Sequence, residues 1–434
     1  MSAAVSSEQQ LLRTVGLKDI IALTVNGIIG AGIFALPATT AAILGPASPL
    51  AFLAAGLFMI IIVYCFAELG GRYDRTGGAY LYASEAFGGA AAFVIGWMYF
   101  LARVTSVAAL SGALSGFAGY FIELLPPYRQ IFSLLVLATL GYINFLGIRS
   151  STRVINILTL AKMAPLLVLI VAGALLCRWD VYHHVTAPPV PDFARALLVC
   201  MFAFSGFEVI AIPGAEMKHP RRDIPRGILI GSAITIVVYL MIQIVAVAAL
   251  PGIAGSSRPL AEAAENLMGS GGGVLLTVGA ICSTVGTLTS LLLVGPRILF
   301  AMAIAGQMPG PFSHIHHRFR SPDVSLAAFL AATACLMLLS DFTNLATLSA
   351  MARLVTYIGS ALALLVLRKK KPVTEGFQSP GGPFLPLLTV LVSLYLLTAA
   401  TRDQWIYGTG ALVVGFLLYG IAALRKAPHR TPPQ

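Results

Sequence analysis

Charged residues are scarce in this chain of 434 residues: they make up 10%, whereas 58% of the residues are hydrophobic and the mean hydropathy is +0.88. A typical soluble domain is about one-quarter charged, so this composition excludes an ordinary soluble protein. Asn-x-Ser/Thr sequons are absent, and the five cysteines lack the spacing of a metal site or a disulfide framework. No histidine lies inside a long apolar run, and no serine-base set is visible, so the sequence does not support a membrane-embedded enzyme.

Long apolar runs follow one another with only short polar breaks between them. The runs are continuously apolar, which differs from the alternation of a membrane β-barrel. Each is near or above the roughly 20 residues that span a bilayer, although the ninth is short. The sequence therefore predicts an all-α membrane protein with about twelve transmembrane helices. The predicted spans are residues 18–42, 47–69, 88–122, 130–147, 153–176, 195–217, 227–250, 273–303, 324–340, 343–367, 383–401 and 405–424.

The basic residues are distributed unevenly among the predicted loops. With both termini in the cytoplasm, most of the 28 lysine and arginine residues fall in cytoplasmic loops and tails, which is the positive-inside pattern. This pattern accounts for most of the net charge of +11, so no nucleic-acid partner is needed to explain it. We expect a multi-pass protein of the plasma membrane, here a bacterial inner membrane, with cytoplasmic tails at 1–13 and 425–434 around one polytopic domain at 14–424.

Two of the predicted spans contain helix-breaking residues near their middles. The first carries three glycines and a proline in "VNGIIGAGIFALP", residues 25–37, although glycine and proline cost about 1 and 3 kcal/mol relative to alanine inside a helix. The sixth has Ser205 and Gly206 at its middle, followed by the carboxylate of Glu208. Glycines that only pack helices are the alternative interpretation, but paired breaks half a chain apart are typical of inverted-repeat transporters.

The break in the first span has a chemical consequence. Unwinding at 27–32 would expose carbonyls at the end of one half-helix and amides at the start of the next. Amides at a helix N-terminus suit a carboxylate, and carbonyls suit an ammonium group. The commonest zwitterion of this kind is an α-amino acid, so the break is predicted to be the binding site.

Five ordered motifs resemble those of the amino acid–polyamine–organocation transporters. They are "GIIGAGIF" (27–34), "RYDRTGGAYLY" (72–82), "FAFSGFE" (202–208), "GAEMKHPRRDIPRGI" (214–228) and "GPRILFAMAIAGQMP" (295–309). The resemblance covers roughly residues 14–424. It implies the LeuT-type fold, a 5+5 inverted repeat with discontinuous helices 1 and 6. The first repeat would be 14–176, the second 193–367, and two extra helices would follow at 383–424.

The resemblance also implies which residues bind the substrate. The carbonyls of Ile28, Phe202 and Ser205 would accept hydrogen bonds from its ammonium group, and the amides of Ala31 and Gly32 would donate to its carboxylate. Phe202 would be the aromatic residue that closes over the substrate from the extracellular side. Many relatives have a hydroxyl residue where Ala31 stands, so one side-chain contact to the carboxylate is missing.

Gly30 and Gly206 belong to the same predicted site. A Cβ at either position would crowd the unwound backbone and the ligand that approaches it. We therefore expect both positions to exclude bulky side chains.

Lys162 lies about ten residues into the fifth predicted span. It could be a lysine that reaches water at the cytoplasmic end of the span, but a buried lysine readily loses its proton. Proton-coupled members of the family carry a lysine in this sequence context. The resemblance implies that the lysine replaces a sodium ion between the first-helix break and span eight, near Ser283 and Thr284.

Three more charged residues lie inside predicted spans. Glu208 either changes its protonation during coupling or joins the two broken helices by hydrogen bonds, and the two roles can coexist. Arg103 and Arg353 are candidates for specificity or gating, unless the span boundaries are shifted and both line aqueous vestibules. Their positive charge disfavours arginine and polyamines as substrates, which leaves neutral amino acids first and acidic ones second.

Together these features predict a secondary active transporter that moves a neutral L-amino acid by alternating access, coupled to protons. An exchanger and an acidic amino acid carrier are alternatives within the class. A channel is disfavoured because no pore-lining ring of acidic residues is evident. No cofactor or metal is expected, and the partners are the amino acid, the proton and membrane lipid. Residues 123–129 contain no cysteine, so a disulfide-linked heavy chain is not expected.

Overall fold

A computed structural model describes residues 16–73, 78–146, 152–183, 185–208, 220–372 and 376–425. Within these ranges the chain forms α-helices joined by short 3-10 turns and loops, without strands. The α-helices are α1 Leu17–Ile28, α2 Gly32–Leu44, α3 Ser48–Arg72, α4 Gly78–Phe87, α5 Gly89–Ala118, α6 Arg129–Phe145, α7 Thr152–Leu176, α8 Val190–Ala203, α9 Pro220–Ala249, α10 Pro259–Met268, α11 Ser270–Ile304, α12 Asp323–Leu339, α13 Phe342–Lys370, α14 Phe384–Thr398 and α15 Arg402–Arg425. The predicted all-helical class is confirmed.

Six helical stretches of the described chain are long and apolar enough to cross a membrane. They are Gly32–Arg72, Gly89–Ala118, Arg221–Ala249, Ser270–Ile304, Phe342–Lys370 and Arg402–Leu424. The first stretch contains both α2 and α3, and the chain turns between these two helices at Gly45, where φ is +55°. Large apolar side chains such as Leu57, Leu175 and Leu424 are exposed on the helices, and a surface of this kind suits lipid rather than water. A helix lies on every predicted span, although the second half of the sixth, 209–217, is outside the described residues.

The first predicted span consists of two helices. Helix α1 ends at Ile28 and α2 begins at Gly32, with non-helical backbone between them. In the sixth span, α8 ends at Ala203, and Gly206 has a φ of +121°. A positive φ is open to glycine at little steric cost, which explains why the helix stops there. The motif at 214–228 begins outside the described residues, as do positions 74–77 of the motif at 72–82.

Small residues of α9 allow α1 to approach closely. An ideal Cβ on Gly227 would lie 2.3 Å from a side-chain carbon of Ile20, and one on Gly231 would lie 2.5 Å from the Cβ of Thr24. The hydroxyl of Thr24 also donates to the carbonyl of Gly227 at 3.3 Å. Small-residue faces are the usual means by which helix backbones come together in membranes. This contact fixes α1, and with it the first break, against α9.

The short helix α4 links the ends of two long helices. The ammonium of Lys370, at the end of α13, donates to the carbonyl of Ala86 at 2.9 Å. Gln307, just after α11, donates to the carbonyl of Gly89 at 2.9 Å and accepts from the hydroxyl of Tyr80 at 3.0 Å. Helix α4 therefore holds the ends of α11 and α13 at the predicted cytoplasmic side.

Glu68 of α3 is the centre of a second group at that side. Its buried carboxylate accepts hydrogen bonds from Arg72 Nη2 at 2.7 Å, Arg368 Nε at 2.9 Å, and the amide and hydroxyl of Ser379 at 2.8 and 2.9 Å. A buried carboxylate is stable in a protein when its oxygens are paired in this way. Glu68 therefore joins α3 to α13 and to the loop that precedes α14.

Candidate functional site

The carbonyls at the first break are held by Lys162 of α7. Its Nζ donates to the carbonyl of Asn26 at 3.0 Å and to that of Ile29 at 2.6 Å. Ser283 of α11 donates to the same Ile29 carbonyl at 3.3 Å. The lysine side chain is 1% exposed. The terminal amine of Lys162 therefore lies among main-chain oxygens, which are the ligands that a bound cation would have.

Thr284 does not join this group by a hydrogen bond. Its hydroxyl donates to the carbonyl of Ala280 in its own helix at 2.6 Å. Of the residues that the sequence assigned to coupling, the structure therefore brings Lys162 and Ser283 together at the first break.

Tyr239 of α9 contacts the break from another side. Its hydroxyl donates to the carbonyl of Ile28 at 3.0 Å, and its ring packs against Phe204 with 5.1 Å between ring centroids. The sequence analysis missed this residue because a tyrosine in an apolar span resembles a packing aromatic. A fully buried phenol needs a hydrogen-bond partner, and that requirement was the available signal. The Ile28 carbonyl can accept the substrate ammonium only by sharing, through its second lone pair.

The two breaks touch each other through their main chains. An ideal Cβ on Gly206 would lie 2.1 Å from the carbonyl oxygen of Gly27, and one on Gly27 would lie 2.9 Å from the carbonyl oxygen of Gly206. Only glycine at both positions allows this approach. The structure thus places in contact the two breaks that the sequence had predicted as a pair, and it identifies Gly27 as a member of the contact.

The start of α2 contains the residues expected to bind a carboxylate. Ala31 is fully buried, and its carbonyl accepts hydrogen bonds from the amides of Phe34 and Ala35 at 3.0 and 3.2 Å. The amides of Ala31 and Gly32 lie at the helix N-terminus, where amides have no partner within their own helix. Gly30 lies next to the side chain of Thr287, which an ideal Cβ would approach to 3.4 Å.

The end of α8 lies next to this N-terminus. An ideal Cβ on Gly32 would lie 3.1 Å from the Cα of Ala203 and 3.5 Å from the ring of Phe202. The Phe202 ring packs edge-to-face on Phe342, with 6.0 Å between ring centroids. The Phe202 carbonyl accepts from the hydroxyl of Ser205 at 2.7 Å. All of the substrate-binding residues assigned from the sequence therefore lie around the two breaks.

Glu208 is held by hydrogen bonds from three directions. One oxygen accepts from the amide of Gly206 at 2.7 Å, and the other accepts from Arg353 Nη1 at 2.8 Å and from the hydroxyl of Tyr357 at 2.6 Å. A nitrogen of Arg103 lies 3.9 Å from the first oxygen. These contacts join the sixth-span break to α13 and place it beside Arg103 of α5; among the described residues none of them reaches the first broken helix, which the hydrogen-bonding role considered for Glu208 would require.

Arg103 and Arg353 are both buried, 0% and 3% exposed, inside the helix bundle. Arg353 Nη2 donates to the hydroxyl of Ser106 at 3.0 Å, and Ser106 is paired with Ser349 at 2.8 Å. Arg103 lies over the ring of Tyr99, 4.6 Å from its centroid, and donates to its hydroxyl. Neither arginine is in a water-exposed vestibule in this structure. Together with Glu208 they form what we call the arginine cluster.

Comparison with known proteins gives matches along nearly the whole chain. A family model described as amino acid permease matches residues 15–419. The branched-chain amino acid permease BcaP of Bacillus subtilis is 28% identical over 96% of this chain and 94% of its own length. The methylthioribose transporter of the same organism is 27% identical over 96% of this chain and 95% of its own length. Its serine/threonine exchanger SteT is 28% identical over 97% of this chain and 99% of its own length. The substrates in these names differ, so the similarity does not select one.

Proposed function

Because the chain belongs to the amino acid permease family, we propose that it is a secondary active transporter that moves an L-amino acid by alternating access, coupled to protons. The family consists of transporters rather than enzymes. The observation that carries the coupling proposal is the Lys162 ammonium on the carbonyls of Asn26 and Ile29. A cation that can lose its proton at this position changes how strongly the first break is held.

The proposed topology is twelve spans in the plasma membrane with both termini in the cytoplasm. The spans form a 5+5 inverted repeat with breaks in the first and sixth, followed by two extra helices. The helices on every predicted span support this arrangement, as does the distribution of basic residues. The contact between Gly27 and Gly206 supports a pair of breaks that work together.

The amino acid binds where the two breaks meet. Its carboxylate accepts hydrogen bonds from the amides of Ala31 and Gly32, which are favoured by the dipole of α2. Its ammonium shares the Ile28 carbonyl with the Tyr239 hydroxyl, and it shares the Phe202 carbonyl with the hydroxyl and the amide of Ser205. The Ser205 carbonyl is the third acceptor. The recognition of the zwitterion is thus mainly a matter of main-chain atoms.

Proton coupling acts through the hydrogen bonds of Lys162. A charged ammonium forms hydrogen bonds of about 1.5–3 kcal/mol each, whereas a neutral amine forms bonds of about 0.5–1.5 kcal/mol. Loss of the proton therefore loosens the first break from α7 and favours release of the substrate to the cytoplasm. Uptake should rise as the external pH falls, and it should need no sodium.

The test is uptake into proteoliposomes with an imposed pH gradient. We expect Lys162→Ala to abolish accumulation driven by the gradient while some substrate binding or exchange remains. Lys18→Ala, which removes an exposed lysine near the start of α1, is the matched control and should behave as wild type. If the Lys162→Ala variant accumulates substrate normally, the lysine has no role in coupling and only extends toward water at the end of its span. Sodium-dependent uptake that ignores the proton gradient would refute the coupling.

An exchanger is the second candidate, since one similar protein is named a serine/threonine exchanger. Uptake that requires amino acid inside the vesicle would favour it. For the substrate, the sequence puts neutral amino acids before acidic ones because of the two buried arginines. That order depends on whether both arginines of the arginine cluster have acidic partners.

A further inference from the structure

The arginine cluster contains more positive charge and more hydrogen-bond donors than its described neighbours can pair. Arg353 has a direct partner in Glu208 at 2.8 Å, whereas Arg103 lies 3.9 Å from the same carboxylate. The Nε and Nη1 of Arg103 have no partner in the part of the chain that the structure describes, although its side chain is fully buried. Among the described residues, two guanidinium groups therefore face one carboxylate.

A buried donor without an acceptor is costly, and the cost is larger for a charged group than for a neutral one. Removing one partner of a buried ion pair costs about 3–5 kcal/mol for the same reason. Arginine cannot lower this cost by losing its proton. The arrangement is therefore favourable only when an acceptor, and best an anion, meets Arg103.

Arg103 lies close to the proposed substrate site, although the nitrogen that faces Glu208 is Nη2 and not the spare Nε or Nη1. Glu208, which lies 3.9 Å from Arg103, accepts from the amide of Gly206 at 2.7 Å, and Gly206 touches the first break at Gly27. One side chain thus separates Arg103 from the point where the two breaks meet. A Cβ has no room where Gly206 meets Gly27, so an anionic side chain of an amino acid at the breaks reaches Arg103 only when the two breaks separate during the transport cycle.

We propose that Arg103, with Arg353 beside it, forms an anion subsite that binds the side-chain carboxylate of an acidic amino acid. Guanidinium groups match carboxylates in charge and in geometry. A cationic side chain would add to the excess positive charge, and an apolar one would leave the donors unpaired. The inference rests on the proposed transport function, and it reverses the order of neutral before acidic substrates. A small inorganic anion such as chloride has the same chemistry.

The first experiment compares acids with their amides on the purified wild-type protein. Thermal shift and competition for uptake are measured with L-glutamate, L-aspartate, L-glutamine and L-asparagine, in chloride and in methanesulfonate salts. The acids should bind about tenfold more tightly than the amides, the lower end of what a hydrogen bond to a charged group contributes. Chloride should compete with the acids and lower their apparent affinity.

The second experiment removes the charge while keeping a polar side chain. Arg103→Gln should abolish the preference for acid over amide, and Arg103→Lys should retain part of it. The matched control is Arg258→Gln, which removes a partly exposed arginine that lies over Tyr120 in a predicted external loop. The control should keep the wild-type preference.

The outcomes separate this proposal from the transport function. If no amino acid shifts the unfolding temperature or is taken up, the transport function fails. If amides bind as well as acids, water satisfies Arg103 and the subsite is overturned while transport stands. Stabilisation by chloride that depends on Arg103, without a preference for acids, also overturns it. Should Arg103→Gln fail to fold, the wild-type comparison of acid with amide still decides.

Discussion

Replacing Gly206 with alanine should be more damaging than any other glycine-to-alanine change at the two breaks. Its φ of +121° lies in a region that side-chain-bearing residues adopt at a cost of about 1–3 kcal/mol. The new Cβ would lie 2.1 Å from the main-chain oxygen of Gly27, and overpacking adds about 1–3 kcal/mol more. The sum, about 2–6 kcal/mol, is a large part of the 5–15 kcal/mol that is typical of folded domains.

The neighbouring glycines give a graded series for comparison. A Cβ on Gly27 would lie 2.9 Å from the oxygen of Gly206, and one on Gly32 would lie 3.1 Å from the Cα of Ala203. A Cβ on Gly30 would lie 3.4 Å from the side chain of Thr287, which can yield. We therefore expect the loss of stability to decrease from Gly206 through Gly27 and Gly32 to Gly30. Gly30→Ala should be tolerated, whereas Gly30→Val should impair uptake.

The assay is thermal unfolding in detergent together with uptake into proteoliposomes at matched protein amounts. Gly206→Ala should unfold at a clearly lower temperature and lose uptake. The reasoning is refuted if Gly206→Ala unfolds and transports like the wild type, or if Gly30→Ala is the most damaged variant. If both Gly206→Val and Gly30→Val showed wild-type uptake, the assignment of the binding site to the two breaks would be wrong.

Three further changes test the contacts around the site. Tyr239→Phe removes a hydrogen bond to the first break, so the free energy of unfolding should fall by about 1 kcal/mol; an unfolding temperature equal to that of the wild type would contradict this. Glu208→Gln leaves two buried guanidinium groups without their anion, and unfolding should become easier by about 3–5 kcal/mol; the exposed Glu123→Gln is the control, and equal stability of the two variants would contradict the pairing. Glu68→Gln should expose the loop at 376–383 to limited proteolysis; an unchanged cleavage pattern would show that the loop is held by other contacts.

Several features could be predicted from the sequence because each has a strong local cause. Glycines and a proline in the middle of an apolar run indicate a broken helix, and α1 does end at Ile28. A lysine in an apolar run needs a partner, and Lys162 has main-chain carbonyls. The helical class follows from composition alone.

Other features depend on contacts between distant parts of the chain. The contact between Gly27 and Gly206 requires two helices to meet at a particular register, which no local pattern specifies. Neighbours on a helix point about 100° apart, so Ser283 reaches the break while Thr284 bonds within its own helix. The burial of Arg103 could not be read from its position in a span, because the sequence does not show which side of α5 faces the bundle.

The distance along the chain between the first break and its lysine has a consequence for synthesis. Lys162 is 136 residues after Asn26, whose carbonyl it binds. At about 5–20 residues per second, the ribosome reaches the lysine roughly 7–27 s after the asparagine. A break formed during that interval would leave its carbonyls without the lysine, and hydrocarbon cannot satisfy them. We therefore expect the unwound backbone to form only after α7 has been synthesised and has packed against α1.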